Sequence, residues 1–145
     1  MEVNLKIKAI ILVCVGSLIS SGFFFPGAPA DEKDDSIKRG EQVYLSYCMS
    51  CHMFGGEGIS GLYPPVSGTT YVSENIPRSI NIILKGQKGE IDVNGVKYNT
   101  EMPAQDYLTD QQIADVLNYV LNLRGSTANM IKEEQIKSER DRTQE

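Results

Sequence analysis

Cys48, Cys51 and His52 stand together in the pentapeptide Cys48-Met49-Ser50-Cys51-His52. Two thiols one helical turn apart can reach two vinyl groups, and the next side chain turns an imidazole toward iron, so C-x-x-C-H reads as an attachment site for c-type haem. His52 is the sole histidine of the chain, so any histidine-ligated metal must use it. Three rival uses of the cysteines fit less well. A structural zinc site wants four Cys or His ligands, and beyond residue 30 only Cys48, Cys51 and His52 remain. A thioredoxin-like pair sits at a strand-to-helix junction in a βαβ pattern, whereas here a helix leads into the motif. A disulfide across two intervening residues closes a very small loop and adds little stability.

The elements around the pentapeptide must position it. Asp35 or Ser36 can cap a helix that runs through Ile37, Val43, Tyr44 and Leu45 to the cysteines. Phe54 to Ser67 is rich in Gly and Pro and reads as an irregular loop. Pro77 stands near the start of a second helix with Ile80, Ile83 and Leu84 on one side, ended by Lys85 and Gly86. Ile91, Val93, Val96 and Tyr98 alternate about Asn94-Gly95, the strongest two-residue turn signal, which predicts a hairpin. Thr109 and Gln112 form a capping box before Ile113, Val116, Leu117, Val120 and Leu121, an apolar stripe at helical spacing that Gly125 ends. From Met130 onward the chain is charged and polar, and residues 126–145 read as a mobile or lightly docked tail with room for one short helix.

Residues 36–123 resemble a class I cytochrome c. Gly40, Tyr44 and Cys48 fall at i, i+4 and i+8, matching the family pattern of a glycine and an aromatic ahead of the attachment site. Val116, Tyr119 and Val120 match the C-terminal helix that crosses the first, with Gly40 permitting close approach. Pro64-Pro65-Val66-Ser67-Gly68 is similar to the family's proline turn, in which Pro64 would offer its carbonyl to the second ring nitrogen of His52. The resemblance implies a mainly α fold, three to four helices around one covalently bound haem c, with a small β-hairpin near residues 90–99. Methionine is the usual partner of histidine in electron-carrying cytochromes. Met1 leaves with a signal, Met49 and Met53 flank the attachment site on the histidine side, and Met130 lies in the tail. Met102 remains, before Pro103, where the resembling family keeps its ligand methionine. Cys48 and Cys51 are thus the expected haem-attaching residues, and His52 and Met102 the expected axial iron ligands. Tyr98, Asn99 and Arg78 are left unassigned between a haem-side and a surface role.

At 145 residues, 41% hydrophobic and 23% charged, the composition allows one ordinary domain, expected at 36–125 after a charged linker at 31–35. With no Trp, so small a core would gain much from an apolar prosthetic group. Lys6 and Lys8 precede an uncharged run from Ala9 to Phe25, and Ala28 and Ala30 supply an A-x-A site, so residues 1–30 read as a signal peptide cleaved before Asp31. The alternative is an uncleaved anchor, since 17 helical residues span roughly 26 Å against a hydrocarbon core of about 30 Å. Lipidation of Cys14 fits poorly because Val13 precedes it. Either way the domain is expected outside the cytoplasm, periplasmic or anchored to the outer side of the membrane. The formal net charge of −5 becomes one unit more negative without residues 1–30. That disfavours nucleic acid and favours a protein partner with a basic patch. The expected function is electron transfer and not catalysis, by a monomer that accepts from a quinol-oxidising complex and donates to a terminal reductase or oxidase. The stretch from Ile83 to Pro103 resembles cytochrome domains associated with copper nitrite reductases and haem-copper oxidases, making nitrite or nitrous oxide reduction an expected setting. The alternative is a haem peroxidase or gas sensor from which Met102 dissociates.

Overall fold

The computed structural model describes residues 31–123, 125 and 129–144, so the expected signal or anchor lies outside the described residues. Five helices are described: α1 (Glu32–Tyr47), α2 (Met49–His52), α3 (Ile76–Lys85), α4 (Asp110–Asn122) and α5 (Glu133–Gln144), with strands β1 (Ile91–Val93) and β2 (Val96–Tyr98) between α3 and α4. No helix among the described residues is long and apolar enough to cross a membrane. The architecture is mainly helical with one small antiparallel hairpin, as the resemblance noted above implies.

Helix α1 begins earlier than expected. Asp31 is the N-cap, its carboxylate accepting the Lys33 amide at 3.0 Å. Glu32, Asp34 and Asp35 fill the first turn, where the helix dipole favours negative charge. The presumed linker at 31–35 is therefore helix. Ser36, Gly40, Val43 and Tyr44 form its buried face, which meets α4 in the most extensive helix pairing of the molecule. An ideal Cβ at Gly40 would lie 2.0 Å from the Asp115 carbonyl oxygen and 2.9 Å from the Tyr119 Cβ. The backbones meet there because glycine has nothing to place between them. Above the crossing, the Tyr44 and Tyr119 rings pack tilted, with centroids 5.3 Å apart.

The capping box of α4 forms as expected, the Thr109 hydroxyl accepting the Gln112 amide and the Gln112 side chain accepting the Thr109 amide. Burial is broader than one stripe, because every residue from Ile113 to Val120 is buried, including Asp115 and Asn118. These polar groups are satisfied across the core. Asp115 accepts from the Ser36 hydroxyl at 2.6 Å and from Arg39 at 2.7 and 2.9 Å. Asn118 donates to Ser36 and to the Ile131 carbonyl, and accepts the Ile131 amide.

That last exchange corrects the reading of the C-terminus as a loosely held tail. Ile131 and Ile136 are buried at 3% and 0% exposure and join the main core. Helix α5 packs on both α3 and α4. Its composition is polar because only one narrow line of side chains faces inward, which leaves too weak an apolar period to read from sequence.

Beyond α1, the hairpin pairs Ile91 with Tyr98 and Val93 with Val96. Asn94 and Gly95 both take positive φ, 55° and 78°, as a tight two-residue turn of this kind requires. Asn75 caps α3 by accepting the Arg78 amide at 3.0 Å, and Pro77 occupies its first turn.

Candidate haem-binding site

The end of α1 delivers the pentapeptide. Cys48 interrupts the helix at φ −114°, yet its carbonyl still accepts from the amides of Cys51 and His52, so α2 continues for one turn. Cys48, Cys51 and His52 therefore share one helical turn. Met53, at φ 63°, ends it, and the Tyr44 hydroxyl donates to the Met53 carbonyl at 2.7 Å, anchoring the turn to α1. Cys48 and Cys51 are not joined in a disulfide.

After the motif the chain doubles back tightly. The Gly58 amide donates to the His52 carbonyl at 3.0 Å, and an ideal Cβ at Gly58 would lie 2.3 Å from the Tyr63 carbonyl oxygen and 2.7 Å from that of Pro64. A side chain there would push the proline segment away from the histidine. With glycine, His52 Nδ1 lies 2.9 Å from the Pro64 carbonyl oxygen. A carbonyl can only accept, so the ring proton sits on Nδ1 and the Nε2 lone pair stays available. Burial lowers the His52 pKa below its ordinary value, partly offset by the Pro64 bond. The imidazole is accordingly neutral at pH 7, the form that ligates metal. Burial also pushes the Cys48 thiol up to about 11, with Cys51 adding a smaller push.

Cys48, Cys51 and His52 open on a cleft of about 1100 Å³, counting its mouth. Its walls are largely apolar, among them Tyr44, Val66, Ile82, Ile83, Val116 and Val120. Met102 lines the same cleft, whereas Met49, Met53 and Met130 do not. An antiparallel bridge holds its backbone: the Gln87 amide donates to the Met102 carbonyl at 2.9 Å and the Met102 amide to the Gln87 carbonyl at 3.0 Å. Fifty residues apart in sequence, His52 and Met102 thus face one space.

The residues present fit a haem. The cleft supplies apolar walls, two thiols on one turn, and a neutral imidazole of fixed tautomer. One buried polar atom is also left over. Arg78 Nε lacks a hydrogen-bond partner, although the same guanidinium donates to the Tyr71 carbonyl and lies 3.9 Å above the Tyr71 ring, which lines the cleft. A carboxylate at the edge of a bound ligand would satisfy it. Tyr98 lines the cleft, whereas Asn99 and Arg78 do not; Arg78 reaches it only through the cleft-lining Tyr71 on which it stacks. Tyr63, Tyr71 and Gln87 also belong to it and carried no local signal.

Comparison with known proteins agrees. The sequence profile of the family Cytochrome c matches residues 37–124. Cytochrome c-552 of Thermus thermophilus is 36% identical over 92 residues, 59% of this chain and 68% of that protein. The cytochrome c subunit of the quinone-dependent alcohol dehydrogenase of Gluconobacter oxydans is 34% identical over 92 residues, but these cover 61% of this chain and only 19% of the subunit. Thiosulfate dehydrogenase of Allochromatium vinosum is 27% identical over 114 residues, 75% of this chain and 38% of that protein.

Proposed function

For this chain, which belongs to the cytochrome c family, an electron-transfer family with covalent haem c, we propose an exported one-electron carrier with haem attached through Cys48 and Cys51 and with His52 and Met102 both as axial ligands. The observation that carries the proposal is the single apolar cleft lined by both thiols, the neutral His52 imidazole and Met102.

When bound, the haem iron supplies the one-electron redox chemistry. The protein's residues do the rest. Cys48 and Cys51 fix the cofactor covalently. Pro64 sets the His52 tautomer and raises the ring's basicity through its carbonyl. The Gln87 bridge presents Met102 from the opposing segment. Apolar walls exclude water, so little solvent rearranges when the charge changes. With two side chains as ligands, no coordination position is left for substrate, which favours a carrier over a haem enzyme or gas sensor.

The proposed donors are quinol-oxidising complexes, and the acceptors a terminal oxidase or reductase, nitrite and nitrous oxide reductases included. Relatives named as cytochrome subunits of alcohol and gluconate dehydrogenases add substrate dehydrogenases to the donor class. The acidic surface fits a partner with a basic patch. Export rests on residues 1–30, cleaved as a signal or retained as an anchor.

Spectra of the holoprotein test the ligand set. The oxidised protein should show a methionine-to-iron charge-transfer band that Met102→Ala abolishes, with a lowered potential and ready carbon monoxide binding in the reduced variant. High-spin spectra and fast carbon monoxide binding in the unmodified protein would favour the enzyme or sensor instead.

A further inference from the structure

The family profile ends at residue 124, yet α5 packs back against the matched region. Ile131 and Ile136 seat it in the core. Arg140 then reaches the segment that joins Met102 to α4. Its Nε donates to the Asp110 carboxylate at 2.7 Å, one terminal nitrogen to the Asp106 carbonyl at 2.9 Å, and the other to the Leu108 carbonyl at 2.7 Å. One guanidinium thus ties three residues of a single connection.

That connection has few other supports. Pro103, Ala104, Asp106 and Tyr107 are exposed, and its remaining backbone bonds run from the Gln105 amide to Ile83 and from the Leu108 amide to Gln105. None of residues 103–107 is buried, and the segment's apolar anchors are Leu108 in the core and Tyr107 edge-on against Tyr47 at 5.7 Å, so the stretch between Met102 and Leu108 opens more easily than the core around it. The other flank of Met102 hangs on Gln87, just past the end of α3. Helix α5 also meets α3, where Asn81 donates to Glu139 at 3.2 Å, a bond that touches no residue from Met102 to Asp110. The C-terminal helix therefore braces the methionine segment from its α4 side, through Arg140. Arg140 and Asp110 are 21% and 19% exposed, so their pairing is shielded from most solvent screening.

We infer that Arg140 is a positioning residue for the iron site, and that α5 clamps the Met102 segment so that the sixth ligand stays in place. The inference rests on Met102 being that ligand. Without the clamp, transient opening of residues 103–110 would release methionine from iron while the rest of the domain stays folded. The carrier would then acquire some reactivity of a ligand-binding haem protein.

The test uses the full-length holoprotein, with carbon monoxide binding to the reduced form as a probe of methionine release. Arg140→Gln removes the charge that holds all three acceptors. It should accelerate binding roughly tenfold or more, the range expected when charge-assisted hydrogen bonds are lost, and weaken the oxidised charge-transfer band well below the unfolding temperature. Arg140→Lys keeps the pairing with Asp110 but not the fork, so it should fall between. Asn81→Ala removes a bond to the same helix without touching residues 103–110, so its binding rate should stay at the unmodified value even where its unfolding temperature falls as far. If Arg140→Gln fails to fold, the Arg140→Lys comparison decides. Equal rates in the Arg140 variants and Asn81→Ala would overturn the clamp and leave the ligand assignment intact. Unmodified protein that binds carbon monoxide as fast as Met102→Ala would instead overturn the assignment, and the clamp with it.

Discussion

Gly40→Ala perturbs the molecule by a single methyl group and strikes the contact on which the fold depends. The added Cβ would lie 2.0 Å from the Asp115 carbonyl oxygen and 2.5 Å from its carbon, where ordinary contact begins near 3.4 Å. Both atoms are backbone inside helix α4, so no side-chain rotation relieves the clash. The two helices would have to part by on the order of 1 Å, and close-packed interiors do not absorb that locally. Alanine gains about 1 kcal/mol over glycine as a helix residue. Overpacking costs about 1–3 kcal/mol, occasionally more. Separation would also stretch the buried Ser36 and Arg39 bonds to Asp115, each contributing about 1 kcal/mol or more. The net expectation is a loss of about 2–4 kcal/mol, which for a domain of this size lowers the unfolding temperature by roughly 10 °C or more. Thermal and denaturant unfolding of the holoprotein, followed by far-ultraviolet circular dichroism and by the haem absorption, measure it. An unchanged or raised midpoint would refute the reasoning, because helix propensity would then outweigh a contact placed far inside van der Waals distance.

Ile136→Ala should destabilise by about 2–5 kcal/mol, since Ile136 is fully buried within the main core; an effect below about 0.5 kcal/mol, typical of surface sites, would mean that α5 is not docked. Arg78→Leu should lower the reduction potential by tens of millivolts, because a cation stacked on the cleft-lining Tyr71 ring disfavours the more positive oxidised iron; a redox titration that finds no shift would place Arg78 outside the site's field. After acid–acetone treatment colour should stay with the unmodified protein and leave a variant carrying both Cys48→Ala and Cys51→Ala, which checks covalent attachment at these two positions.

Local chemistry was legible in the sequence wherever a few neighbouring residues suffice. Cys48 to His52 spell out the attachment turn, Thr109 and Gln112 the start of α4, and Asn94-Gly95 the hairpin turn, because spacing along one helix or one turn is itself the structural requirement. The expectation of export rests on the pattern of residues 1–30 alone. Tertiary structure decided what depends on distant partners. Asp115 and Asn118 look like surface positions of an amphipathic helix until Ser36, Arg39 and Ile131 close on them from the far ends of the chain. Glu32 to Asp35 look like a linker until Asp31 caps them. The charged C-terminus looks loose until Ile131, Ile136 and Arg140 find places on α3, α4 and the segment after Met102. Polar residues carry no periodic signal for such pairings, since hydrogen bonding depends on atoms meeting in space and not on their order along the chain. The haem-attachment turn was therefore readable from five consecutive letters, whereas the cleft joining His52 to Met102, and the clamp that braces it, exist only in the folded molecule.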